Sequence, residues 1–270
     1  MPKKVIISIE KQNQMLRMYN DEKKSIKTIS KEMGYSISIV HRQLKELNYI
    51  PRTNREQALK YSFNENYFQD IDSEHKAYWL GYICADATIY DKTNTDSGTL
   101  KIETKKEDEE IVQKFKEDIE SSHPIKHYQN KHFKGYECSR LVLKSNVIIK
   151  NLQLYGIGSH KSLTLQFPNN IKQSQFINAF IRGYFDGDGS LCLYKNGIFD
   201  IKILGTKEFL EDIKSIIGIQ CRISNPKSNI YELRISKNSE RKKFLTFIYK
   251  DATIYLKRKY DRYNLFMQKY

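Results

Sequence analysis

Apolar positions along the first fifty residues recur at helical spacing. Residues 9–20, IEKQNQMLRMYN, read as one helix. Ile26, Ile29 and Met33 follow at intervals of three and four, and after Gly34 the same spacing returns at Ile37, Val40, Leu44 and Leu47. This spacing predicts two short helices, each with one inward face. Ser25 and Ser36 stand where an N-cap is needed, and Gly34 lets the chain turn sharply between them. The outer face of the last helix then carries Ser38, Ile39, His41, Arg42 and Lys45. Residues 51–75 begin with Pro51 and are polar, so they read as a linker, with Tyr61, Phe63, Tyr67 and Phe68 tacking it to a neighbour.

From residue 76 the pattern changes and then repeats. WLGYICADAT (79–88) and IRGYFDGDGS (181–190) align on Gly81 and Gly183, placing Asp86 and Asp188 102 residues apart. Each is followed by a hairpin pattern (88–105; 190–204), a helix (106–120; 206–217), a second hairpin (124–144; 219–236), another helix (145–155; 238–250) and a basic cluster. Self-similarity of this length predicts a duplicated unit with an internal pseudo-two-fold. Gly81 and Ala85, like Gly183 and Gly187, are four apart and share a helix face, so two such helices can approach closely. Packed in parallel, they would set Asp86 and Asp188 side by side at their C-terminal, electronegative ends. A divalent cation relieves that repulsion, and Mg²⁺ favours one or two carboxylates with waters and phosphate oxygens.

The two segments resemble the paired motifs of the LAGLIDADG homing endonucleases, and the resemblance extends over about residues 75–270. FIRGYFDGDGS is close to the family pattern. AYWLGYICADA departs from it, with Cys84 in place of the first acid and Ala87 in place of the last glycine. Arg182 replaces a small residue and is expected to face outward. The resemblance implies an α+β fold of two pseudo-symmetric αββαββα halves forming a DNA saddle, acting as a functional monomer on double-stranded DNA. It implies a metal-dependent double-strand break. Asp86 and Asp188 would be the catalytic acids, with Mg²⁺ or Mn²⁺ held by them and by the backbone oxygens of Ala85 and Gly187. Lys161 and Lys259 match the family's basic residues that polarise water or steady transition-state charge. Residues 1–50 resemble a helix-turn-helix domain, whose second helix would read DNA; an ordinary helical hairpin is the alternative. The expected order is therefore the helix-turn-helix (1–50), the linker (51–75), the first repeat (76–166) and the second (167–270).

Alternation along the strands then selects surfaces. Leu100, Ile102, Leu141, Leu143, Ile201, Ile203, Leu233 and Ile235 read as inward. Lys101, Glu103, Arg140, Val142, Asp200, Lys202, Glu232 and Arg234 read as outward, joined by Arg222, Lys126 and Tyr128. Mixed charge on such a face suits base reading as well as phosphate attraction. An eight-residue strand spans about 26 Å, about 8 base pairs, so two halves suit a site on the order of 20 base pairs. The copies differ at outward positions, which predicts a non-palindromic site. His123, His127 and His132 fit a groove or surface better than a metal site, and Trp79 fits packing beneath its helix.

Charge supports the same surfaces. The 270 residues hold 46 Lys and Arg against 32 Asp and Glu, a net +14. Residues 167–270 carry +9 of this. Residues 76–166 carry only +2, because eight of their twelve acids lie within 103–120, whose Ile111, Phe115 and Ile119 mark an amphipathic helix. Such an excess suits a polyanionic partner. No apolar run is long enough to span a membrane. The four cysteines are scattered, which excludes a zinc ribbon and fits a reducing compartment, the cytoplasm of a host cell or an organelle. A non-cleaving binder on the same fold, an RNA maturase or a transcription regulator, is the competing expectation. The Asp200-Ile201-Lys202 triplet after Asp188 also suits a PD-(D/E)xK nuclease, which leaves the repeat unexplained.

Overall fold

A computed structural model describes residues 7–52, 61–91, 98–129, 136–159, 164–227 and 230–270. The chain divides into two compact units, Met1–Lys60 and Tyr61–Tyr270. In the first unit, α1 (Ile9–Asn20), α2 (Ile26–Met33) and α3 (Ile37–Glu46) enclose a core of Met15, Met18, Tyr19, Ile29, Val40 and Leu44. The side chain of Ser25 caps α2 through the Thr28 amide, and that of Ser36 caps α3 through Ile39. Gly34 ends α2 in the left-handed region at φ 71°, a conformation that costs a glycine little. Two expected orientations on α3 are corrected. Ile37, the first residue of α3, is 53% exposed. Ile39, expected on the outer face, packs against the core.

The second unit contains the repeat. Its first half runs α4 (Glu74–Asp86), β1 (Thr88–Tyr90), β2 (Thr99–Lys105), α5 (Glu109–Asp118), β3 (Lys126–Gln129), β4 (Glu137–Lys144) and α6 (Asn146–Gln153). Its second half runs α7 (Ile177–Asp188), β5 (Gly189–Leu193), β6 (Phe199–Gly205), α8 (Lys207–Ile217), β7 (Arg222–Lys227), β8 (Ile230–Ile235) and α9 (Asn238–Tyr249), and α10 (Lys257–Lys269) follows. The two four-stranded antiparallel sheets have the same order, β1-β2-β4-β3 and β5-β6-β8-β7. Both halves are therefore αββαββα, as the repeat predicts.

One apolar core joins these elements. The inward strand residues Leu100, Ile102, Leu141, Leu143, Ile201, Ile203, Leu233 and Ile235 are all at most 1% exposed. Ile111, Phe115 and Ile119 seat the acidic helix on the first sheet. Every residue from Ala77 to Cys84 is buried. A helix apolar on all sides belongs in a core rather than on a surface. The chain from Tyr61 onward is packed as well. Tyr67 and Phe68 are core residues, and the Asn64 amide donates to the Ile119 carbonyl at 2.8 Å. Among the described residues no helix is long and apolar enough to cross a membrane.

Candidate active site

Helices α4 and α7 meet backbone to backbone. A Cβ on Gly81 would lie 2.0 Å from the Phe180 carbonyl oxygen, and one on Gly183 would lie 1.9 Å from that of Tyr78. Nothing larger than hydrogen fits at either place. Further along the same seam, a Cβ on Gly187 would lie 2.4 Å from the Ala85 Cβ and 3.3 Å from the Asp86 Cβ. The four small residues thus bring the C-terminal ends of both helices together. Asp86 and Asp188 are the last residues of those helices, and both are exposed. Two carboxylates at two negative helix ends make a locally electronegative spot inside a basic chain. Among the described residues, no group of three or more His, Cys, Asp and Glu side chains converges.

Lys259 sits beneath this spot and is 1% exposed. Its Nζ donates to the carbonyls of Phe185 at 2.5 Å, Asp186 at 3.0 Å and Gly189 at 2.5 Å. Burial pushes its pKa down to about 8, while Asp186, Asp188 and Asp86 pull the other way. The family resemblance implies a lysine turned toward water. Instead all three ammonium protons are donated to backbone oxygens at the end of α7, so the charge acts on the helix terminus that carries Asp188. Lys161, the corresponding residue of the first repeat, lies outside the described residues, as does His132.

The first acid of the second motif has a structural task that sequence reasoning missed. Asp186 is buried, and it accepts from Tyr249 Oη at 2.6 Å, Tyr78 Oη at 2.9 Å and the Leu256 amide at 2.7 Å. Burial raises its pKa, opposed by Lys259 and by these donors. Tyr78 comes from the first half and Tyr249 from the second, so one carboxylate joins them. Arg182 also departs from expectation. It is fully buried rather than outward, with Nη1 donating to the Ile248 carbonyl at 2.7 Å and Nη2 paired with Glu74 of the opposite half. The Thr253 amide and hydroxyl hold the same Glu74 at 3.1 and 2.8 Å. Alignment on Gly81 and Gly183 makes Leu80 and Cys84 the counterparts of Arg182 and Asp186, so the polar ties arise from one helix only.

The sheet faces away from the core hold the remaining second-unit candidates. On the first sheet Lys126, Arg140 and Glu103 are register neighbours across three strands. Arg140 Nε donates to Glu103 at 2.6 Å, its guanidinium lies 4.1 Å from the Tyr128 ring centroid, and Lys101 approaches Glu103 at 3.5 Å. Desolvation and the hydrogen bond to Glu103 push the Tyr128 hydroxyl up to about 12. On the second sheet Ser190, Lys202, Arg234 and Arg222 form one cross-strand row. Arg234 Nε donates to Asp200 at 2.9 Å, and Lys202 approaches Glu232 at 3.3 Å. Asp200, expected outward, is 3% exposed because Arg234 and Tyr194 cover it. His127 accompanies Glu109 at 2.6 Å, and His123 packs on Tyr61 and Phe63. Trp79 is buried, with its indole N–H on Asp118. In the first unit Ser38, His41 and Lys45 are exposed. Arg42 is half-buried, and its Nε and Nη2 have no hydrogen-bond partner among the described residues.

Comparison with known proteins follows the same lines. Residues 175–249 match the family model of the LAGLIDADG-like domain. No curated protein matches the sequence. Among solved structures, the homing endonuclease I-WcaI bound to its DNA recognition sequence superposes with a TM-score of 0.53 at 15% identity, covering 80% of this chain and 96% of that one. I-LtrWI bound to target DNA gives 0.48 at 14%, covering 76% and 91%, and I-DmoI in complex with DNA and Ca gives 0.44 at 19%, covering 68% and 90%. The chain as a whole has the two-motif LAGLIDADG fold, with three N-terminal helices added.

Proposed function

We propose that this protein is a site-specific DNA endonuclease that makes a divalent-metal-dependent double-strand break at a long, non-palindromic site. The observation that carries the reading is the pair Asp86 and Asp188. Both are exposed, and both stand at the ends of helices whose glycine seam leaves no other spacing. Exposed basic side chains on the outward sheet faces, Lys126 and Arg222 among them, give a DNA backbone counter-charges. A protein that only bound DNA would gain nothing from two carboxylates there.

The donor set suits Mg²⁺ or Mn²⁺. Asp86 and Asp188 would supply charge, the Ala85 and Gly187 carbonyls, as the resemblance implies, would supply further hard oxygens, and the exposure of the two acids would leave room for retained water. Bound there, such an ion supplies an activated water and stabilises a leaving oxygen. The chain's own contribution is placement. The Gly81–Gly183 crossing fixes the helix ends, Asp186 ties the two halves to one another, and Lys259 holds the last turn of α7. Ser38, His41, Arg42 and Lys45 on α3 are assigned to DNA contacts that lengthen the site, as in a helix-turn-helix.

Plasmid cleavage after selection of a target from a random DNA library tests the reading. The parent is expected to cut in Mg²⁺ and not in EDTA. Asp86→Asn and Asp188→Asn should each lower double-strand cleavage at least about a thousandfold while leaving DNA affinity within a few fold. Wild-type rates in the double variant would sink the assignment. A parent that binds one sequence tightly without cutting would identify a non-cleaving binder.

A further inference from the structure

Resting on that reading, we infer that Arg140 and Arg234 each read a guanine in the major groove, at unequal distances from the cut. Each arginine is fixed by a carboxylate on the adjoining strand. Glu103 takes Nε of Arg140 at 2.6 Å and Asp200 takes Nε of Arg234 at 2.9 Å. Tyr128 stacks on the first guanidinium, and the buried Asp200 is itself held by Tyr194 Oη at 3.3 Å. A bond through Nε leaves the far edge of the guanidinium, the parallel Nη donors, outside the pair. Guanine N7 and O6 are the two adjacent acceptors in the major groove that match this edge.

The partnering acid also favours a base edge over a phosphate. Glu103 and Asp200, which Lys101 and Lys202 approach as well, offset part of the guanidinium's charge and weaken its pull on a phosphate, whereas a neutral base edge bears no such penalty. Arg222 gives the contrast. It stands directly across from Arg234, is exposed, and has no carboxylate within 4 Å among the described residues. Arg222 therefore suits a phosphate.

Register sets the offset. Arg234 pairs with Lys202 and, through it, with Ser190, two residues after Asp188. The equivalent row of the first half is Thr88, Lys101 and Val142. Arg140 lies two residues from Val142 along β4, toward the end of the sheet nearer Asp86. Two residues of strand are about 6.7 Å, about two base pairs. The guanine read by Arg140 thus lies about two base pairs closer to the cut than that read by Arg234.

The test is enrichment of a random double-stranded DNA library by the full-length protein. The parent should enrich one guanine in each half-site with this offset. Arg140→Lys keeps the charge but not the fork, and should lose the inner guanine preference about tenfold or more. Arg234→Lys should do the same at the outer guanine. Each variant should retain the rest of the site, which shows that it folds. Arg222→Ala should weaken all sequences alike. Retained guanine preference in both lysine variants, guanines at equal distances, or a parent site without them would overturn the inference. A parent that enriches no sequence would overturn the reading as a site-specific nuclease itself.

Discussion

Asp186 and Asp188 show how two neighbouring acids of one motif take opposite environments. A helix turns 100° per residue, so residues two apart face different sides. Asp188 reaches solvent at the helix end, and Asp186 turns inward onto Tyr78 and Tyr249. The family resemblance singles out the second acid as chemical and leaves Asp186 without a task. The burial of Asp186 depends on tyrosines 108 and 63 residues away, which no local pattern reveals. Arg182 was misread for a similar reason. An arginine is usually exposed, and only Glu74 and the Ile248 carbonyl, both distant in sequence, make its burial tolerable. Glu109 belongs at this scale too. Lys106 first, then Ser139 and His127, pull its pKa from 4.5 to about 2. The folded-state value lies below the unfolded one, so the stabilisation is complete above pH 4.5 and is lost as pH falls through about 2. Glu109→Gln should lower the thermal midpoint at pH 7 by the equivalent of about 1 kcal/mol or less, given its partial exposure. In circular-dichroism melts, this difference should shrink steadily between pH 4.5 and 2. A difference independent of pH would refute the ion-pair account.

Among elements, the α4–α7 crossing governs the site. Its small residues were legible because small residues four apart on an apolar helix have few other uses. The amount of space was not legible, since it depends on two helices meeting. With Cβ positions only about 2 Å from facing carbonyl oxygens, Gly81→Ala or Gly183→Ala must push the helices apart. Each should cost at least about 3 kcal/mol in urea unfolding, the upper range for overpacking. If either variant is as stable as the parent, the crossing is looser than described. Strands were legible with less ambiguity. Alternation alone assigned all eight inward residues, because one face of each sheet must be buried and side chains alternate with period two. It failed at Asp200, which lies on the outward side yet is roofed over by Arg234 and Tyr194.

At the scale of the whole molecule, the repeat gives two halves of identical topology and different chemistry. The buried polar ties start from α7 alone, and the outward rows differ at every equivalent arginine. The two units have separate cores, so a chain beginning at Tyr61 should keep its unfolding transition. It should also protect a shorter stretch of its target in footprinting, with affinity lowered on the order of tenfold. A footprint of unchanged length would remove the first unit from DNA recognition. The sequence by itself determined the duplication, the strand faces and the two terminal acids, because periodicity and spacing are local properties of a chain. Only the tertiary structure decided that Lys259 serves backbone carbonyls, that Asp186 and Arg182 join the halves, and that Arg140 and Arg234 are held by acids on adjoining strands. Those outcomes depend on which distant groups satisfy a buried charge, and that is settled when the elements pack.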